Sequence, residues 1–144
     1  MKSKLIGEGP QRTFAVVLDT GDEVTDCLLA FARQHELSAA EFIGLGAFQD
    51  VVLGSFDWQK KDYDRIPIDE QVEVLNLTGN IALDDEGAPK LHPHVVVGKK
   101  DGTAHGGHLL EAHVRPTLEV IVTESPAHLQ RRHDPETGLA LIRL

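Results

Sequence analysis

Apolar positions along this chain change period once, from strand-like to helical and back. Thr13-Phe14-Ala15-Val16-Val17-Leu18 is a short β-rich run that stops at Asp19-Thr20-Gly21-Asp22, which predicts a strand and then a turn. Val24, Cys27, Leu28, Phe31 and Ala32 then recur at i, i+3, i+4, i+7 and i+8, the stripe of an amphipathic helix. The spacing predicts a helix over Glu23 to His35, capped by Asp22, with Asp22 and Glu23 near its positive end. Cys27 lies in the stripe and reads as core, not as a nucleophile.

Beyond the helix the pattern is β almost to the end. Glu41 to Ala47 and Asp50 to Phe56 are two closely joined apolar stretches, expected as a hairpin or bulged pair. Gln59 to Asp69 is polar and charged, with Trp58, Tyr63 and Pro67 in or beside it, and is expected as a long surface loop. Val72, Val74, Leu75, Leu77 and Ile81 mark a strand closed by the Asp84-Asp85-Glu86-Gly87 turn. His92 to Gly98, His105 to Val114 and Leu118 to Val122 follow as strands, and Glu136-Thr137-Gly138 precedes a last apolar piece, Leu139 to Ile142. One principal helix with about seven strands predicts an α+β domain built mainly on antiparallel sheet.

A length of 144 residues implies a single domain. Such a chain buries roughly two thirds of its unfolded surface and folds without disulfides or a structural metal. The single cysteine excludes an internal disulfide and fits a reducing compartment. No stretch resembles a signal peptide or a membrane span, so a cytoplasmic protein without membrane contact is expected. The net charge of −9 argues against direct, non-specific DNA binding, which depends on lysine and arginine neutralising phosphates. The only tight basic cluster, Arg131-Arg132-His133, runs into Asp134 and Glu136 and reads as an exposed charged turn.

The candidate chemistry lies in the histidines. His92 and His94, at i and i+2, point to one face of a strand. Lys99-Lys100-Asp101-Gly102 is a turn signal that brings the chain back antiparallel, toward Gly106-Gly107-His108. If Gly98 and Thr103 close the hairpin, His94 falls opposite Gly107, and a one-residue bulge at Gly106-Gly107 is needed to set His108 opposite His94. Three imidazoles with an open fourth position are a common inner shell for reactive zinc, which suits imidazole where thiolate is lacking, although nickel, copper or iron would also accept these ligands. His105 and His113 stand at odd offsets from His108; His105 is a candidate to support the ligands, and His113 is expected in the core or at an interface. Glu111 and Glu119 are candidate acid–base groups on adjoining strands. His35, His128 and His133 are scattered and carry no assignment.

Leu91-His92-Pro93-His94-Val95-Val96-Val97-Gly98, Gly106-Gly107-His108-Leu109-Leu110-Glu111 and Thr117-Leu118-Glu119-Val120 together resemble the bacterial stand-alone branch of the plants-and-prokaryotes-conserved (PPC) domain. Gly44-Leu45-Gly46-Ala47, Val74-Leu75-Asn76-Leu77-Thr78-Gly79, Arg131-Arg132-His133-Asp134 and Thr137-Gly138-Leu139 extend the resemblance over nearly the whole chain. The resemblance implies an antiparallel α+β fold with one main helix, a homotrimer, and a metal, usually taken as zinc, on His92, His94 and His108. The plant branch adds a DNA-binding AT-hook, whose Arg-Gly-Arg-Pro core this sequence lacks. The order of His-x-His and Gly-Gly-His is also distantly similar to the zinc motif of acetolactate decarboxylases. Two functions remain open on this reading. One is a metal-binding trimer with a site for a small oxygen-bearing molecule. The other is a non-catalytic, DNA-associated or regulatory assembly module.

Overall fold

Two strands much longer than the sequence pattern suggests carry the fold. The computed structural model describes residues 1–125 and 127–143. In chain order its elements are β1 (Lys2–Gly7), β2 (Thr13–Asp19), α1 (Val24–Gln34), β3 (Ala39–Asp57), β4 (Asp62–Ile68), β5 (Val72–Leu83), β6 (Pro89–Gly98), β7 (Ala104–Glu124), β8 (Gln130–His133) and β9 (Ala140–Arg143). Among the described residues strands dominate and one helix is present, in keeping with the expected α+β class.

β3 and β7 run antiparallel against each other from Ala40↔Glu124 to Gly54↔His108. Each was expected as two pieces, and each is one strand. Along β3 the buried side chains include Ala40 and Phe42, then the adjacent Ala47 and Phe48, then Val51 and Leu53, so the inward set switches from even to odd numbers across Ala47 and Phe48. Register irregularities between Gly46 and Asp50 absorb that switch without ending the strand. Pro116 interrupts β7 only in appearance. It falls between the pairs Gly46↔Leu118 and Phe48↔Val114, where the ladder to β3 makes no demand on its missing N–H.

The pairing of β3 with β5, β5 with β6, β6 with β7 and β7 with β3 closes a ring. β2 and β1 extend the sheet beside the C-terminal half of β7, and β4 lies along the C-terminal half of β3. Among the described residues only the single bridge Leu83↔Gln130, which ties the β8–β9 hairpin to β5, is parallel. α1 packs on β6 and β7, burying Val24, Leu28, Phe31 and Ala32 among Phe14, Val95, Val97 and Val114.

Three further expectations are corrected. The helix cap is Glu23, whose carboxylate accepts from the Asp26 N–H at 2.6 Å; Asp22 pairs with the N-terminal ammonium at 2.7 Å. The region expected as a long surface loop contains β4, an edge strand exposed at most positions and therefore without an apolar period; its edge position tolerates Pro67. Arg131-Arg132-His133 is strand β8 and not a charged turn, and Arg131 is buried. Among the described residues no helix is long and apolar enough to cross a membrane.

Candidate metal centre

Strand alternation sorts β6 into an inward set, Pro93, Val95 and Val97, and an outward set, His92, His94 and Val96. The turn that follows sets the register of β7. The Lys99 N–H donates to the Thr103 carbonyl at 2.8 Å and the Gly102 N–H to the Lys99 carbonyl at 2.9 Å. Gly102 adopts φ 83°, the left-handed conformation that completes a three-residue hairpin loop. Pairing therefore starts at Gly98↔Ala104 and runs regularly to His94↔His108. The expected closure at Gly98 and Thr103, with its compensating bulge at Gly106-Gly107, is wrong: the extra residue sits in the turn. Gly107 answers another need. A Cβ there would stand 2.8 Å from the Gly54 carbonyl oxygen, so glycine is what lets β3 approach β7.

The outcome is a cluster of three imidazoles. Ring centroids are 5.1 Å apart for His92 and His94, 5.5 Å for His92 and His108, and 5.4 Å for His94 and His108. One nitrogen from each lies within 4.8 Å of the other two. The Nε2 atoms of His92 and His94 are 3.2 Å apart. Two nitrogens bound tetrahedrally to one zinc ion at about 2.0–2.1 Å are separated by about 3.3 Å. The fit is close.

Electrostatics favours the neutral, ligating form. Burial, followed by the nearby His92 and His94, pushes His108 down to about 4. Burial, followed by Arg131 and His94, also lowers His92. Nδ1 of His108 is sealed from water without a hydrogen-bond partner, and a bound ion is one explanation for such an atom. The three residues thus suit a cation that takes nitrogen donors.

Two residues beside the cluster escaped the sequence pattern. Tyr63 on β4 stacks on His108 with centroids 4.5 Å apart and planes 27° from parallel. Arg131 on β8 donates through Nη1 to the Ala140 carbonyl at 3.1 Å and through Nη2 to Asn80 Oδ1. Tyr63, His92, His108 and Arg131 share a cavity of about 220 Å³ with Lys90, Leu91 and the β9 segment. Neither had a legible signal, because Tyr63 stands in an exposed edge strand and Arg131 in a run of charges.

The other candidates fall elsewhere. His105 is exposed at the hairpin end, 3.4 Å from Thr103 Oγ1, and does not support the ligands. His113, expected in the core or at an interface, is partly exposed and its Nδ1 meets Asp50 Oδ1 at 2.7 Å. That hydrogen bond raises its pKa. Glu111 accepts from Arg65 at 3.3 Å, and Glu119 borders an apolar groove; neither lines the cavity beside the histidines. Among the unassigned histidines, His35 packs on Phe14 and Phe31.

The model of the Plants and Prokaryotes Conserved (PCC) domain, also written PPC, matches residues 6–126. The chain belongs to this family. A PPC protein from Pyrococcus horikoshii is 30% identical over 92% of each chain, with a TM-score of 0.86. A metal-containing protein from Archaeoglobus fulgidus is 33% identical, covering 99% of this chain and 97% of its own, at a TM-score of 0.84. A protein from Ralstonia eutropha, named for a proposed DNA-binding role, is 33% identical over 91% and 90%, also at 0.84. The PPC fold extends further, to α-acetolactate decarboxylase of Bacillus subtilis at 12% identity and a TM-score of 0.52, covering 88% of this chain and 58% of that one. That distant likeness concerns the fold alone. Among curated proteins none matches the chain.

Proposed function

We propose that this PPC protein is a cytoplasmic homotrimer that binds one zinc ion per subunit on His92, His94 and His108. The ion's fourth position is left to a small oxygen-bearing ligand in the adjoining cavity. The observation that carries the reading is the 3.2 Å separation of the His92 and His94 Nε2 atoms, with His108 completing the cluster. The metal-containing relative from Archaeoglobus fulgidus supports it. Three imidazoles without thiolate favour zinc among the common ions.

When bound, zinc supplies Lewis-acid polarisation of a ligand oxygen, or a bound water with a pKa of about 7. The chain's own residues do the rest. Tyr63 holds the His108 ring by stacking and lines the cavity, and burial raises its phenol pKa and keeps it protonated. Leu91, Leu139 and Leu141 give the cavity an apolar portion of wall.

The trimer is supported by an outer apolar face. Ile43, Leu45 and Leu75 are 56%, 59% and 51% exposed, and with Val17 and Ile121 they line a groove of about 390 Å³. Contiguous apolar surface of this kind marks an interaction site, and further copies of the chain are the simplest occupants.

Elemental analysis of protein purified without a histidine tag tests the metal. One zinc per subunit, lost to a chelator and regained on adding zinc, is the expected result. A stripped protein that takes up no zinc overturns it. The name of the Ralstonia eutropha relative favours a second reading, a DNA-associated assembly module. The charge of −9 and the burial of Arg131 oppose direct contact with phosphates. Salt-sensitive retention on DNA would revive it.

A further inference from the structure

Arg131 is 4% exposed, and among the described residues no carboxylate pairs with it. Two of its nitrogens reach neutral acceptors, the Ala140 carbonyl and the Asn80 side-chain oxygen. Its Nε is sealed from water and has no partner. A guanidinium withdrawn from water without a counter-ion is costly to the fold, and such charges are ordinarily paired. Burial lowers the Arg131 pKa, though nothing brings an arginine near neutrality in a folded protein.

The location of this charge gives it a use. Arg131 lines the same cavity as His92 and His108, together with the apolar side chains of Leu91, Leu139 and Leu141. The other cation on the wall, Lys90, is exposed, with its ammonium 3.6 Å from Asp84. At about 220 Å³ the space is smaller than the roughly 300–1,000 Å³ of pockets that take drug-sized ligands. An occupant of a few carbons fits.

We propose that the cavity binds a small carboxylic acid, its carboxylate drawn to Arg131 and its short hydrocarbon part laid on Leu91, Leu139 and Leu141. The assignment deepens the metal-centre reading and rests on it for the oxygen-bearing character of the ligand. The charge that selects an acid belongs to Arg131. A planar guanidinium suits a carboxylate, and the leucine wall favours a ligand with a hydrocarbon portion over inorganic phosphate.

Calorimetric titration of the full chain with butyrate, its neutral isostere butyramide and inorganic phosphate tests this, on zinc-loaded and zinc-stripped protein. Butyrate is expected to bind at least tenfold more tightly than butyramide in both forms, and more tightly than phosphate. Arg131→Met is expected to lose at least tenfold in butyrate affinity, with zinc content unchanged. Equal affinity for butyrate and butyramide overturns the proposal, as does tighter binding of phosphate or undiminished butyrate binding by Arg131→Met. Should Arg131→Met fail to fold, the two isosteres on the wild-type protein decide the matter. Stripped protein that prefers butyrate but takes up no zinc would retain the acid site and overturn the metal centre. Zinc-loaded protein without that preference would do the reverse.

Discussion

His94 and His108 are direct partners across the β6–β7 ladder, a register set by the turn at Gly102 and not by any irregularity in the strands. Direct partners on one face of an antiparallel pair bring their side chains together. His92, two residues along β6, adds the third ring without further help from the fold.

Because these rings stand on the outward face, the metal is expected to be separable from the fold. His94 is exposed, and the core is built from the inward set of β6 with α1 and its neighbours. His94→Ala is expected to reduce zinc from one ion per subunit to a trace. The metal-free melting temperatures of variant and wild type should agree within about 2 °C, as for a surface substitution. Elemental analysis and melting curves give both numbers. Loss of fold together with zinc would show that the ion is structural.

The two glycines before His108 are expected to respond differently. A Cβ at Gly107 meets the Gly54 carbonyl oxygen at 2.8 Å, a backbone atom that cannot easily move. At Gly106 the nearest atom, the Val95 carbonyl oxygen, is 3.3 Å away. Gly107→Ala should therefore cost about 1–3 kcal/mol, in the range of overpacking, and weaken zinc uptake by displacing His108. Gly106→Ala should cost clearly less. Urea titrations of the two variants decide this, and equal losses would contradict the observed register.

What was legible in the sequence was local or periodic. The stripe from Val24 to Ala32 specifies α1, and the i, i+2 spacing of His92 and His94 puts both on one face. The rest depends on partners distant in sequence. β3 looks broken because its inward set changes parity, and β7 because exposed Arg115 and Pro116 interrupt its apolar run; only the ladder between them shows each to be continuous. β4 is exposed on both faces and carries no period. Arg131 resembles its neighbour Arg132 in sequence, yet contacts with Asn80 on β5 and Ala140 on β9 bury it. The three clustered histidines were thus visible in the chain, and the cavity beside them was not.

The exposed groove offers a direct test of assembly. Leu45 is 59% exposed beside Ile43, Leu75 and Ile121 on the outer face of the sheet. A lysine there leaves the core untouched and places a charge in the middle of any interface formed by this face. Sedimentation is expected to give a trimer for the wild type and a smaller species for Leu45→Lys, with unaltered circular dichroism. An unchanged trimer would place the interface elsewhere on the surface.

A final expectation concerns pH, away from the three clustered histidines. The hydrogen bond from His113 to Asp50 raises the pKa of His113 above its ordinary 6.5; burial opposes the shift, and the charges of Asp50, Glu111 and Glu23 reinforce it. A group held in its protonated form by the fold stabilises that fold fully below its unfolded pKa, and the contribution disappears as pH rises through the folded value. Asp50→Asn removes the charge that His113 meets, so the stability gap between wild type and variant should be largest near pH 5.5. It should narrow steadily toward pH 9, where the imidazole is neutral in both proteins. The side chain of His113 is 37% exposed, so solvent screens the pair and added salt should shrink the gap at the acidic end. Urea unfolding of both proteins across this range measures the gap directly. A difference that stays constant with pH would mean that Asp50 acts on the strand pairing itself and not through the charge of His113.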